Sequence, residues 1–259
     1  MFADDSPLIV RLACDARDLR AAQRLRYKVF VEELRADGPM VDHDARLECD
    51  EFDGRFDHLL LIDRRRDPAD LEDVVGVYRL LPSDRVGPGE RFYSEAEFDL
   101  SVLKQSGRRL LELGRSCVHT DHRGGTAMFH LWNGLADYVL EREIEILFGV
   151  ASFHGTDVGA LAQPLSWLHH HHLAPPPLRV CARGAARVGM DLIAPEALDR
   201  KAAMAGTPAL IKAYLRLGGH VGEGAFIDHA FNTTDVCLVM DTARMSARHR
   251  DFYTRGRAA

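Results

Sequence analysis

The chain has 259 residues, 46% hydrophobic and 28% charged, with a formal net charge of −6. That length and balance suit a globular protein with a sizeable core. The acidic surplus argues against a general nucleic-acid binder, whose phosphate contacts need a basic face, and no apolar run approaches the ~20 residues of a membrane-spanning helix.

In chain order, PLIVRLA (7–13) predicts a first strand and ARDLRAAQRLRYKVFVEEL (16–34) a helix, with Leu19, Ala22, Leu25, Val29 and Phe30 at helical spacing. HLLLIDR (58–64) and DVVGVYRLLP (73–82) read as neighbouring strands joined by a turn. LLELGRSCV (110–118) predicts a strand, AMFHLWNGLADYVLERE (127–143) an amphipathic helix and EILFGVASF (145–153) a buried strand. Strand, helix, strand over that span is a βαβ unit with a parallel pair. TPALIKAYLRLGG (207–219) predicts a helix stopped by glycines, TTDVCLVMD (233–241) a closing strand, and the remainder a polar tail. The whole chain, 1–259, is expected to be a single α/β domain.

One segment departs from the rest. Residues 158–190 contain no Asp or Glu but hold Arg179, Arg183 and Arg187, a local charge inversion that reads as part of an inserted basic lid over roughly 158–205. Its arginines suit an acidic protein partner, or, with Trp167 and Leu168, an anionic membrane surface. The run His169–His172 is not expected to hold a metal, because consecutive histidines point in different directions. Five widely spaced cysteines without a CxxC pair read as reduced thiols, and Cys117 in its apolar setting as a buried, inert one. The first residues, MFADDSPLIVRLACD, lack the basic-then-apolar layout of a secretory signal, so a cytoplasmic location is expected.

The strand at 110–118 carries Glu112 and Arg115 inside an apolar run and leads to Gly124-Gly125 at a helix start. Backbone N–H groups and the helix dipole make such a turn a receiver of phosphate, with Arg123 beside it. A buried carboxylate in a strand needs a reason, since unpaired it costs several kcal/mol. For Glu112 the choice is between a salt bridge to Arg115 or Arg79 and chemistry. Arg26 and Asp53 likewise read as a structural ion pair or as substrate contacts.

Taken together, LRYKVF (25–30), DEFD (50–53), HLLLID (58–63), GVYRLL (76–81) and ELGRSCV (112–118) resemble the acyl-chain-transferring branch of the GCN5-related N-acyltransferases (GNAT), which includes the acyl-homoserine lactone synthases. EFDLS (97–101), GVASFHGTD (149–157), LAPPPLR (173–179) and GAFIDHAFNTTDVCLVMD (224–241) extend the resemblance to the bacterial L-ornithine N-acyltransferases, over nearly the whole chain. The tryptophan expected after Val29-Phe30 in the lactone synthases is missing, which weakens that assignment.

The resemblance implies a GNAT fold, a mixed, splayed sheet flanked by helices, with a pantetheine arm between two parallel strands. It implies transfer of a long 3-hydroxyacyl chain from acyl carrier protein to the α-amine of L-ornithine, giving lyso-ornithine lipid, with no bound cofactor and a peripheral association with the inner membrane. The alternatives are another amino-acid acceptor such as glutamine or glycine, lactone synthesis, or a non-catalytic binding module. Glu112 would accept the amine proton and Ser116 would donate to the carbonyl oxygen. Arg26, Arg79 and Arg115 would suit the acceptor carboxylate, Asp50 and Asp53 its side-chain ammonium, and Phe30 the acyl pocket. The donor arm would meet Cys117, Val118, Arg123, Gly124, Gly125 and Thr126. A strand bulge over Gly114–Cys117 is expected to free backbone N–H groups. The acetyl-CoA branch reads Arg-x-x-Gly-x-Gly/Ala in this loop; here either His122 begins that pattern or Arg123 begins a shortened one.

Overall fold

The computed structural model describes residues 6–244; most of the expected polar tail, and the first five residues, lie outside that range. The regular elements are β1 (Leu8–Leu12), α1 (Ala16–Arg26), a π-helix (Tyr27–Glu33), β2 (Asp57–Asp63), β3 (Val74–Pro82), β4 (Phe98–Asp99) and α2 (Ser101–Lys104). They continue with β5 (Leu110–Val118), α3 (Ala127–Glu141), β6 (Ile146–His154), α4 (Ala162–His172), β7 (Cys181–Ala182) and β8 (Arg187–Val188). The last are α5 (Arg200–Gly206), α6 (Ala209–Arg216), β9 (His220–Val221), β10 (Ala225–Asp228) and β11 (Thr233–Asp241).

These elements form two compact units, Met1–Leu81 with Leu113–Glu143, and Pro82–Glu112 with Ile144–Ala259. Strand β5 contributes its first three residues to the second unit and the rest to the first.

In the first unit β1 pairs antiparallel with β2, β2 with β3, and β5 lies beside β3. Helix α1 begins where the Asp15 carboxylate accepts from the Asp18 N–H at 2.8 Å. It lays Ala21, Ala22 and Leu25 on Leu60, Ile62, Val74 and Val77 of the sheet. The expected helix to residue 34 is present only as far as Arg26 in α form. From Tyr27 the ladder slips by one residue, as in the bond from Leu34 N–H to the Val29 carbonyl at 3.2 Å, giving a π-helix. On α3, a Cβ at Gly134 would come within 2.5 Å of Val10 Cγ1, so the helix lies on β1 at a distance only glycine allows.

In the second unit β5 runs parallel to β6 through the pairs Leu110↔Ile146, Leu111↔Leu147 and Glu112↔Phe148. Strand β11 is antiparallel to β6 from Thr233↔His154 to Asp241↔Ile146, and its other edge pairs with β10 and β9. Strand β8 closes this edge against β10. The βαβ unit and the large mixed sheet with flanking helices are as expected from the sequence. Within the segment read as a basic lid, α4 and the turn after it bury Leu165, Ser166, Leu168, Ala174 and Val180 completely. Leu168 is therefore core, and Trp167 stacks on His171 with ring centroids 3.8 Å apart. All five cysteines are free thiols.

Candidate active site

Six charged side chains of the first unit close into a ring of alternating sign. Arg26 at the end of α1 reaches Asp53 through Nη1–Oδ1 at 2.6 Å and Nη2–Oδ2 at 3.1 Å, and Glu48 through Nε. Glu48 Oε1 accepts from Arg115 Nε at 3.0 Å, and Arg115 Nη2 lies 3.2 Å from Asp50 Oδ2. Arg79 Nη1 then joins Asp50 at 2.6 Å to Asp53 at 2.9 Å. Each carboxylate bridges two guanidiniums, and each guanidinium touches two carboxylates.

The ring is dry at one side and reached by solvent at the other. Arg26 and Arg79 side chains are 0% exposed, whereas Asp50 and Arg115 are 16% and 12% exposed. Burial alone would push all three carboxyls up, but the guanidiniums beside them win and hold Asp53, Asp50 and Glu48 below the usual carboxylate range. Burial works against the Arg26 charge too, yet Glu48 and Asp53 hold it above its ordinary value. Outer contacts fix the ring: Gln23 Nε2 donates to Asp53 Oδ2 at 2.9 Å, and His58 Nε2 lies 2.9 Å from the Asp53 carbonyl. Burial, with Arg26 and Arg79 nearby, holds His58 below its ordinary pKa although the bond to Asp53 opposes this. The Phe56 ring lies 4.5 Å from the Arg79 guanidinium carbon.

Arg115 enters the ring because β5 is not a regular strand. Its φ is +48°, the left-handed region, inside the stretch where a bulge was expected. Ser116 next to it is half-buried. Cys117 is buried and its thiol pushed well up by burial, the state of an inert thiol. Phe30 packs on the core that includes Leu25, Val29 and Cys117.

The glycine turn follows. Val118 accepts from Arg123 Nε at 2.9 Å, and Arg123 Nη1 pairs with Glu33 Oε2 at 2.7 Å. His122 Nε2 lies 3.1 Å from Asp63 and Arg66 3.0 Å from Asp121, so Arg66, like Arg123, is matched by a carboxylate. Gly124 takes φ +76°, which an L side chain resists, and leads through Gly125 and Thr126 into α3. Thr126 makes no side-chain cap, leaving the N-terminus of α3 uncapped by it.

Glu112 lies in the second unit and is 1% exposed. Its carboxylate accepts from Tyr93 N–H at 2.8 Å, from Ser94 N–H at 2.6 Å and from the Ser94 hydroxyl. It fastens the turn over 93–96 to β5.

The structure thus unites Arg26, Asp50, Asp53, Arg79 and Arg115. Sequence reasoning passed over Glu48, Gln23, His58 and Ser94; the signal for Glu48 was its alternation with Asp50 in LECDEFD. Among the described residues, His169, His170 and Asp191 in the second unit could present ligand atoms to one cation, as could Glu97, Asp228 and Asp235.

Residues 25–133, which contain the ring and the glycine turn, match the model of the Acetyltransferase (GNAT) domain. The fold is similar to that of an N-acyl amino acid synthase from uncultured soil microbes, FeeM, with a TM-score of 0.51, 11% identity and 92% of each chain covered. It is also similar to a CoA-dependent acyl-homoserine lactone synthase, with a TM-score of 0.52, 16% identity, and 95% of this chain and 86% of that one covered. Fold and domain together place the chain in the GNAT fold class. Over 246 residues the chain is 68% identical to the L-ornithine N(alpha)-acyltransferase of Rhodobacter capsulatus, covering 95% of this chain and 94% of the relative. It is 40% identical to the enzyme of the same name from Brucella abortus, covering 95% and 88%. The chain belongs to the L-ornithine N(alpha)-acyltransferase family.

Proposed function

We propose that this enzyme transfers a long-chain 3-hydroxyacyl group from the thioester of an acyl carrier protein to the α-amine of L-ornithine, giving lyso-ornithine lipid. The observation that carries the reading is the 68% identity, along nearly the full length of both chains, to an L-ornithine N(alpha)-acyltransferase. The ring adds chemical support. Its solvent-reached members, Asp50 and Arg115, offer one negative and one positive charge side by side, a match for the zwitterionic α-centre of an amino acid. Asp53 already accepts from Arg26, Arg79 and Gln23, so its part is to hold the arginines rather than to receive an ammonium.

The reaction needs little more than position and proton transfer. The neutral α-amine attacks the thioester carbonyl carbon, the C–N bond forms, and the C–S bond breaks to release the pantetheine thiolate. The amine, with a free pKa near ~8, must give up its proton. Glu112 is the acceptor of that first proton in this reading, directly or through water, and passes it on to solvent; the second N–H proton, lost as the amide forms, goes to the departing thiolate. Ser116 and backbone N–H groups beside Arg115, where φ is positive, donate to the oxyanion in this reading. Gly124, Gly125 and Thr126 at the start of α3 receive the single phosphate of the arm, with Cys117 and Val118 supplying strand backbone to it. Arg123 and Arg66 beside that turn are each paired with an acid, so the phosphate is met by backbone N–H groups rather than by a guanidinium. No cofactor beyond the donor's own arm is called for.

The deciding experiment incubates purified protein with long-chain 3-hydroxyacyl carrier protein and a panel of amino acids including ornithine, glutamine and glycine. Acyl-ornithine as the dominant product is expected. Preference for another amino acid, a lactone product, or no turnover at all would refute the reading. Binding to anionic vesicles, with and without product, tests the membrane association.

A further inference from the structure

We propose that the outward face of α1 is the docking surface for the acidic carrier protein that presents the acyl thioester, an inference that rests on the carrier-dependent reading above. Residues 17, 20 and 24 follow one another at i, i+3 and i+7 and so line one side of α1, and Lys28, at the start of the π-helix, continues the row by sharing Glu72 with Arg24. Each is a cation: Arg17, Arg20, Arg24 and Lys28. The opposite side carries Ala21, Ala22 and Leu25 into the core. Three carboxylates answer the four cations, one of them Asp18, which lies 3.7 Å from Arg17 and is also paired with Arg11. Arg17 Nη1 lies 3.0 Å from Asp73, while Arg24, at 3.7 Å, and Lys28 share Glu72. Arg20 is exposed and has no ion-pair partner among the described residues. A surplus of positive charge thus runs along roughly 16 Å of helix in a chain whose net charge is −6.

Position supplies the second argument. The phosphate of a carrier's prosthetic arm is esterified to the carrier's own surface, so wherever that phosphate is received, the carrier must touch the surrounding rim. The turn assigned to the phosphate adjoins the far end of the stripe. His119, which opens the turn, is within electrostatic reach of both Lys28 and Glu72. Arg123 is tied at 2.7 Å to Glu33 of the π-helix that prolongs α1. A carrier seated on the phosphate therefore has α1 beside it.

Two rival assignments are weaker. An amphipathic helix lying on a membrane inserts its apolar face, and the apolar face of α1 is used up on the sheet. In the acid-free segment the three arginines do not share a helix face: Arg179 Nε is turned onto the Ala174 carbonyl at 2.8 Å, and Arg187, on β8, lies 3.9 Å from Glu223.

The test compares two donors bearing the same acyl chain, one on carrier protein and one on free phosphopantetheine. For the double variant Arg20→Glu, Arg24→Glu we expect KM for the carrier-bound donor to rise about tenfold or more, with salt mimicking the effect on the parent enzyme. KM for the free phosphopantetheine thioester, and kcat with either donor, should stay as in the parent. Arg20→Glu alone, at an exposed position, gives a smaller rise in the same direction and guards against misfolding of the double variant. An unchanged KM for the carrier, or an equal rise for both donors, overturns the docking surface. So does a loss confined to Arg179→Ala, Arg183→Ala, Arg187→Ala, or weakened binding to anionic vesicles with carrier KM intact. If the parent enzyme accepts free thioesters but never the carrier-bound one, the carrier reading itself fails and takes this surface with it.

Discussion

Arg26 and Asp53 face each other through two parallel hydrogen bonds, 2.6 and 3.1 Å long, with the guanidinium 0% and the carboxylate 7% exposed. A planar fork against a carboxylate is the strongest common form of such a contact. Each partner also serves a second member of the ring, so losing one strands charge on both sides.

Asp53→Asn should therefore lower the unfolding free energy by about 3–5 kcal/mol, the range for breaking a buried pair from one side. Urea denaturation measures it. A loss under about 1 kcal/mol, the value of an exposed pair, would mean that the ring is slack.

The pH dependence of stability follows from the same groups. Asp53, Asp50 and Glu48 are all held below their ordinary values, so their stabilisation is complete above the unfolded carboxylate pKa near ~4 and is lost as pH falls beneath it. His58 is also held down, from 6.5, with burial as the main cause. Its contribution is complete above that value and declines as pH drops below it, where the unfolded chain takes up the proton first. Urea midpoints should fall gently below pH 6.5 and steeply below about 4. His58→Gln should reduce the gentle slope, to which His119 and His172, also held down by burial, contribute, and Asp53→Asn should reduce the steep one. A midpoint that rose on going from pH 6.5 to 5 would contradict the assignment.

Glu112 holds a turn and, in the proposed reaction, takes a proton; two variants separate these roles. Glu112→Gln should cut kcat at saturating ornithine by roughly 10²-fold or more. Ser94→Ala removes the hydroxyl donor to that carboxylate and leaves the Tyr93 and Ser94 N–H donors; it should keep kcat within about tenfold, at a cost near 1 kcal/mol of stability. Equal losses of kcat in the two variants would assign Glu112 to the turn alone.

Gly124 has φ +76° and nothing within 4 Å of where a Cβ would stand. Gly124→Ala should consequently cost about 1–2 kcal/mol through backbone strain rather than collision. If the turn receives the phosphate, KM for the donor should rise several-fold while KM for ornithine stays put. A rise in the ornithine KM instead would move the phosphate elsewhere.

Strands β5 and β11 could be read from sequence to the residue, since both are apolar runs with sharp boundaries. The end of α1 could not. Leu25, Val29 and Phe30 satisfy helical spacing whether the ladder is α or π, and the difference lies in which carbonyl Leu34 N–H chooses. Arg115 stood out as a charge inside an apolar run, and Arg26, Asp50, Asp53 and Arg79 through the resemblance to the acyltransferases, but their closure through Glu48 depends on how a helix, a loop and two strands meet. Glu112 was expected to face an arginine or a substrate. Its bonds to Tyr93 and Ser94 come from backbone and hydroxyl groups that leave no mark in a charge pattern.

A closed ring of six shared charges also constrains how the sequence can drift. An isolated pair can be swapped or erased in two mutational steps, but here any single exchange disturbs two neighbours, each of which leans on a further one. A substitution at any one of the six positions is therefore expected to cost stability until its neighbours change with it.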